Sequence, residues 1–285
     1  MRPPGRLLMF WDYDTEWGCD ADRARGLPVA PGRGRLEFEH TERLLQLHGQ
    51  FEIPACFAVV GAAALPGERP YHDPDQIRRI HSAGHEVASH AFRHEWLPGL
   101  DGQRIRETLR QSREALEQCI GAPVTSFVPP YNQPFDHVPA MSISRSERRT
   151  AGPARTDLGG LCRALADTGY AFCRVSYRSL RLRVADRLAG QRVEVPVRLE
   201  RIAGIACCRL NTPGGFSSGS LAMLERVAKA GGIAVVYGHP HSLGADNPQH
   251  ERWLIPFLSR SVQLRRAGRL EVLQPRDLAG GAVPA

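Results

Sequence analysis

Short apolar segments alternate with helical segments along almost the whole chain, and this alternation limits the fold more than any other feature. Apolar runs at residues 7–11, 55–60 and 233–237 each stop at a glycine or an acidic residue, which is typical of buried strands. The clearest amphipathic helix covers residues 101–120 and ends at Gly121. Strands that alternate with helices predict a mainly parallel sheet, and 285 residues suffice for one large barrel or two smaller domains.

Two stretches lack this pattern. Residues 13–34 and 141–157 are rich in glycine, arginine, proline or serine, and we expect long exposed loops that are candidates for lids over a site. The last strand signal is at residues 270–273, and residues 279–285 are expected to be a frayed tail. Residues 1–278 are therefore predicted to form one folded domain.

The composition excludes several classes of protein. No apolar run approaches the roughly 20 residues of a membrane span, and none near the amino terminus is long enough for a signal-peptide core. Seven cysteines without Cys-x-x-Cys spacing indicate free thiols in a reducing compartment, so we expect a cytoplasmic location. The net charge of +7 comes mostly from arginine without interleaved aromatic residues, so neither nucleic-acid nor membrane binding is predicted.

Polar residues follow the predicted strands at four places. These segments are residues 10–14 (Phe-Trp-Asp-Tyr-Asp), 89–94 (Ser-His-Ala-Phe-Arg-His), 127–131 (Phe-Val-Pro-Pro-Tyr) and 236–241 (Val-Tyr-Gly-His-Pro-His). Parallel barrels carry their chemistry just after the carboxyl ends of the strands. The placement of the four segments therefore indicates a site.

A metal site is one interpretation of His90 and His94. Histidines four residues apart face the same side of a helix or turn, and a carboxylate from elsewhere would complete a site that leaves positions for water. Asp14 could bind the ion while Asp12 accepts a proton from water, because neighbouring carboxylates near a cation have pKa values that are pushed apart, as acid–base work requires. The alternatives are ordinary surface or core histidines and a solvated acidic loop.

The chain resembles the NodB homology domain of polysaccharide deacetylases, carbohydrate esterase family four. The similarity is clearest in residues 53–61, Ile-Pro-Ala-Cys-Phe-Ala-Val-Val-Gly, and 84–94, Gly-His-Glu-Val-Ala-Ser-His-Ala-Phe-Arg-His. It covers residues 7–132 and, more loosely, 215–275. The resemblance implies a single-domain α/β fold, a distorted (β/α) barrel with seven strands, and hydrolysis of an N-acetyl group with the help of a metal.

The resemblance also implies roles for the motif residues. Asp12 matches the family's base, and Asp14, His90 and His94 match its metal ligands. Tyr13 separates the two aspartates, which is similar to the pattern of intracellular branches that act on small substrates. Zinc is the expected ion, and cobalt, nickel or iron would suit the same ligands.

The remaining motifs match less completely. Val128-Pro-Pro-Tyr131 stands where the family usually has Arg-Pro-Pro-Tyr, so the arginine that orients the base is missing, while the backbone N–H of Tyr131 matches the oxyanion donor. His239 matches the catalytic acid, and His241 is the reserve candidate. The fourth motif, an aspartate with aromatic neighbours, is not found in residues 172–179. Weaker candidates for substrate contact are Trp17, Trp96, Pro130 and His241.

The predicted function is removal of the N-acetyl group from a small sugar-like molecule, such as an amino sugar or an intermediate of antibiotic biosynthesis. The absence of an export signal favours a soluble intracellular substrate over a polymer. Two alternatives stay open. One is an amidase or cyclic-amide hydrolase on the same fold, and the other is an inactive sugar-binding protein, suggested by the missing arginine and fourth motif. The sequence does not predict the oligomeric state.

Overall fold

A computed structural model describes residues 3–134, 157–179, 199–244 and 249–280, with a few isolated positions between them. The described strands are β1 (Gly5–Tyr13), β2 (Cys56–Val59), β3 (Glu86–Ser89), β4 (Ser126–Phe127), β5 (Phe172–Val175), β6 (Glu200–Ile202), β7 (Ile205–Arg209), β8 (Ile233–Gly238) and β9 (Leu270–Leu273). They form one sheet in the order β6-β7-β5-β4-β3-β2-β1-β8, and β9 pairs with β1. Every pairing is parallel except that of β6 with β7.

Eight helices are described, and most lie between consecutive strands. They are α1 (Thr15–Ala24), α2 (Arg33–Phe51), α3 (Pro74–Ser82), α4 (Gly102–Ile120), α5 (Leu158–Asp167), α6 (Ser218–Ala230), α7 (Glu251–Arg266) and α8 (Pro275–Ala279). Asp73 caps α3, because its carboxylate accepts from the backbone N–H of Gln76, and Pro74 is the first helical residue. Asp101 caps α4 in the same way.

The two faces of the sheet have different surroundings because side chains alternate along each strand. On β1, Met9 and Trp11 belong to the large core that packs against the helices. Leu8 and Phe10 belong to the smaller core inside the barrel, and Asp12 follows them on that inner face. Helix α8 adds Leu278 to the inner core. The site residues of β1 therefore stand on the inner face of the barrel.

The expected α/β barrel in one domain is confirmed, but the described residues contain nine strands rather than seven. The predicted loop at residues 13–34 was wrong, because it contains α1. The low helix propensity of this segment is overcome by packing of its buried face, where Gly18 lies so close to Asp14 that a Cβ would be 2.5 Å from the Asp14 Cβ. Most of residues 141–157 and all of residues 281–285 lie outside the described residues.

Two findings bear on the predicted surroundings of the protein. No helix within the described ranges has the length and apolar character of a membrane span. All seven cysteines are free thiols, and six of them are buried. Buried free thiols pack as small apolar side chains.

Candidate metal centre and active site

The four polar segments predicted from the sequence meet at the carboxyl ends of the strands, around a cavity of about 260 Å³. All predicted catalytic and metal-binding residues line it: Asp12, Asp14, His90, His94, Tyr131 and His239. Further lining residues come from α1, from the segment after it and from the beginning of α2. The cavity therefore lies on the face of the barrel where the strand ends predicted a site.

Asp14, His90 and His94 form a cluster that could hold a metal ion, with one ligand atom of each within 4.8 Å of the others. Oδ1 of Asp14 is 3.4 Å from Nε2 of His90 and 3.6 Å from Nε2 of His94. This Oδ1 atom is buried and has no hydrogen-bond partner among the described residues. A buried polar atom without a partner is costly, and a divalent cation held by two imidazoles and a carboxylate would satisfy it. The residues present therefore fit the metal that the resemblance implies.

The backbone after β3 is bent so that both histidines reach this cluster. Ala91 and His94 have φ values of 63° and 60°, in the left-handed region that few residues other than glycine adopt. The rings of His90 and His94 lie 5.0 Å apart between centroids. Nδ1 of His90 lies 2.7 Å from the carbonyl oxygen of Val128 and donates to it, which leaves Nε2 as the free ligand atom. The histidine pair therefore lies on a strained turn rather than on a helix.

Burial and charge act in opposite directions on the cluster. Burial alone would raise the pKa of Asp14, but the neighbouring His94 and His90 hold it well below its usual value. Burial lowers the pKa of His94 to about 3, so this imidazole is neutral near pH 7. An ionised carboxylate and a neutral imidazole are the forms that bind metals.

Asp12 forms a buried ion pair with Arg174 of β5. Nη1 of Arg174 donates to Oδ1 of Asp12 at 2.7 Å, and Nη2 donates to Oδ2 at 2.6 Å. The two side chains are 1% and 5% exposed. Burial would raise the pKa of Asp12, but the guanidinium of Arg174 outweighs this effect and the pKa is lowered. Such a two-point contact fixes the orientation of a carboxylate as well as its charge.

Arg174 stands beside the position where an arginine was expected. The parallel strands β4 and β5 place Phe127 opposite Cys173, so one residue further on Val128 is opposite Arg174. Side chains at matching positions of neighbouring strands point to the same face of the sheet. An arginine therefore reaches Asp12 from the neighbouring strand, which supplies the contact that Val128 cannot make.

His239 follows β8 and faces both aspartates. Its Nε2 atom is 4.0 Å from Oδ2 of Asp12 and 3.8 Å from Oδ2 of Asp14. Its backbone N–H donates to Oε1 of Gln249 at 2.6 Å, which anchors the segment. Burial lowers the pKa of His239. This imidazole is therefore placed where it can exchange a proton with a group bound above the two carboxylates.

Tyr131 forms another wall of the cavity. Its φ value is 55°, another left-handed conformation at the site. Its ring packs edge-on against His94, with 4.7 Å between centroids, and its hydroxyl donates to Oδ1 of Asp22 at 3.0 Å. The segment that carries Tyr131 is thereby held against the metal cluster.

The four weaker candidates lie near the site but are not among the described residues that line the cavity. Trp17 packs edge-on against aromatic neighbours, and the guanidinium of Arg25 lies 3.3 Å from the ring centroid of Trp96. Pro130 begins the short 3-10 turn after β4. Nδ1 of His241 lies 2.7 Å from a buried carboxylate of α2. Contact of these residues with a substrate stays a prediction.

Sequence reasoning missed three charged residues of the site. Arg174 was detectable, since a lone arginine in the apolar segment 172–175 needs a buried partner. Arg33 donates to Oδ2 of Asp14 at 2.9 Å and also to Asp22. Asp22 and Arg33 gave no comparable signal, because their segment was predicted to be an exposed loop.

Comparison with known proteins finds similar sequences. The family model described as Polysaccharide deacetylase matches residues 34–142. A chitooligosaccharide deacetylase of Rhizobium leguminosarum bv. trifolii is 32% identical over 76 residues, which are 27% of this chain and 33% of that protein. The uncharacterized protein YlxY of Bacillus subtilis (strain 168) is 28% identical over 92 residues, 32% of this chain and 27% of that protein. The matches span about a third or less of these relatives.

Solved structures share the fold. A candidate polysaccharide deacetylase from Mycobacterium smegmatis superposes with a TM-score of 0.68 at 17% identity, covering 97% of this chain and 89% of that one. A CE4 family pseudoenzyme from Bacillus anthracis gives a TM-score of 0.50 at 15% identity, covering 97% and 66%. The fold is therefore that of the polysaccharide deacetylases.

The matched family model covers residues 34–142 of the 285 residues. Over this region the chain is similar to the NodB-type polysaccharide deacetylases, carbohydrate esterase family four, and its fold is theirs.

Proposed function

We propose that this protein is a metal-dependent N-deacetylase that removes the acetyl group from a small amino-sugar substrate. The observation that carries the proposal is the unpartnered Oδ1 atom of Asp14, which faces Nε2 of His90 and of His94. An ion-pairing carboxylate, Asp12, and an imidazole, His239, lie beside it. A metal ligand set, a base and an acid are the groups that hydrolysis of an amide requires.

Each residue of the active site has a distinct role in this proposal. When bound, a divalent ion supplies Lewis acidity to the amide carbonyl and to a water molecule. Asp12 accepts the proton of that water, because each of its oxygens keeps a lone pair beyond the one that Arg174 uses. His239 donates a proton to the departing amine, which leaves poorly without one. The backbone N–H of Tyr131 donates to the oxyanion, a contact typically worth about 3 kcal/mol.

The size of the cavity supports a small substrate. At about 260 Å³ it lies slightly below the range of roughly 300–1,000 Å³ for sites that enclose drug-sized ligands. A single N-acetylated sugar ring is a suitable occupant, whether free or in a natural-product intermediate. Zinc is the ion we propose, and cobalt, nickel and iron are the alternatives. The cytoplasmic location also stays a prediction.

Metal content of the purified protein is the first test. We expect about one divalent ion per chain, its loss in His90→Ala, and no loss in the control His81→Ala on α3. The loaded protein should release acetate from monomeric N-acetyl sugars, and a chelator should stop the release. Failure to take up zinc or cobalt would contradict the proposal, and release from polymeric chitin or peptidoglycan alone would contradict the small substrate.

Two further functions share this site. The valine at position 128, where the family usually has an arginine, favours a sugar-binding protein without activity. The contact of Arg174 with Asp12 favours catalysis. Metal binding without acetate release would support the former. An amidase or cyclic-amide hydrolase would use the same groups, and a panel that includes cyclic amides separates it from a deacetylase.

A further inference from the structure

The beginning of α2 contributes an arginine to the proposed metal centre. Arg33 is the first residue of α2, and its side chain is 15% exposed. Nη2 donates to Oδ2 of Asp14 at 2.9 Å, and Nη1 donates to Oδ2 of Asp22, which lies on α1. The matched family region begins at residue 34. Arg33 therefore precedes that region, and so do Asp14 and Asp22, the two carboxylates that it contacts.

The contact gives the two oxygens of Asp14 different surroundings. Oδ1 faces the two histidines and has no partner among the described residues, while Oδ2 is held by Arg33. The last torsion of an aspartate side chain has a broad, roughly two-fold energy profile, so a carboxylate without partners turns easily. A hydrogen bond to one oxygen removes this freedom.

Resting on the proposed function, we propose that Arg33, anchored by Asp22, is a positioning residue that holds Asp14 with only Oδ1 directed at the ion. Outer partners of metal ligands fix ligand orientation in this way, and their loss typically lowers metal affinity about 10- to 100-fold. The other oxygen of Asp22 accepts from the hydroxyl of Tyr131 at 3.0 Å, so Asp22 is itself held on both sides.

The net charge around the metal site has to be the same in the variant and in the wild type. Arg33 is a cation beside the site of a second cation, so its removal alone would raise metal affinity by relieving repulsion. Asp22 carries the opposite charge. The double variant Arg33→Met/Asp22→Asn removes both charges, keeps the net charge of the site and isolates the loss of orientation.

Cobalt binding measures the effect directly. We expect the double variant to bind cobalt about 10- to 100-fold more weakly than the wild type in a chelator competition, with an altered visible absorption spectrum. The matched control is Arg35→Met/Glu39→Gln, which removes an exposed ion pair further along α2 and should leave affinity and spectrum unchanged. Wild-type or higher affinity in the Arg33→Met/Asp22→Asn variant overturns the inference.

The outcomes separate this inference from the proposed function. A wild-type protein that binds no cobalt defeats both, whereas equal binding by wild type and double variant defeats the role of Arg33 alone. If the double variant does not fold, Arg33→Lys replaces it, because lysine keeps the charge but not the planar fork that bonds Asp14 and Asp22 together. Its affinity should then fall, and wild-type affinity and spectrum overturn the inference.

Discussion

Replacement of Arg174 by methionine should destabilise the protein strongly even without metal. The guanidinium makes two hydrogen bonds to Asp12, of 2.7 and 2.6 Å, and also lies 4.6 Å from the ring centroid of Tyr237. Both charged side chains are at most 5% exposed. Removal of one partner leaves a buried charge without compensation, which costs about 3–5 kcal/mol. We expect this decrease in the free energy of unfolding for Arg174→Met.

The double variant Asp12→Asn/Arg174→Met tests whether the uncompensated charge is the cause. It removes both charges, so its loss of stability should be smaller than the sum of the single losses by about 1–3 kcal/mol. Urea unfolding with a chelator present measures all three variants, and unchanged m-values show that the same surface unfolds. Arg106→Met, which breaks an exposed pair with Asp167, is the control and should cost less than about 1 kcal/mol.

The reasoning fails if Arg174→Met costs no more than the control. It also fails if the two single losses simply add, because additive losses would mean that Asp12 and Arg174 stabilise the fold independently.

Three further predictions concern other parts of the molecule. His239→Asn should lower kcat by about 100-fold or more and leave one metal per chain, and loss of the metal would show that His239 is a ligand instead. Gly238→Ala should cost about 1–3 kcal/mol in thermal or urea unfolding, since the new Cβ would lie 2.8 Å from the buried ring of Trp11 and also against Oε1 of Gln249, and wild-type stability would contradict this packing. His48 accepts from Trp11 Nε1 and has its pKa lowered to about 3 by burial, so stability should fall by up to about 1.4 kcal/mol per pH unit as the pH decreases from 6.5 toward 3. In His48→Asn, the decrease of stability per pH unit should be smaller by about 1.4 kcal/mol, which corresponds to one proton. An unchanged pH dependence would exclude this histidine as its source.

Elements with strong local signals were predictable from the sequence. The strand predicted at residues 270–273 agrees with β9, and the helix predicted to end at Gly121 agrees with α4, because an apolar run marks the strand and a glycine ends the helix. The short helix α1 was not predictable, since packing of its buried face rather than its propensity stabilises it.

The site was predictable where its residues lie in short local motifs at the ends of strands. Asp12, Asp14, His90 and His94 stand at strand ends, and the structure brings them together as expected. The contact between Asp12 and Arg174 joins residues 162 positions apart, so no local spacing could reveal it. The role of Arg33 likewise depends on the packing of α1 against α2, which brings Asp22 to Arg33.

The sideways displacement of an arginine from β4 to β5 has a consequence for relatives of this protein. Adjacent strands are only about 4.8 Å apart, so a long side chain can serve the same carboxylate from either of two strands. During evolution the arginine can therefore move from one of these two positions to the other. An apolar residue at one position should then occur together with an arginine at the other, so the two positions should covary. A relative that lacks the arginine of the third motif can still be active if the residue opposite that position, on the neighbouring strand, is an arginine.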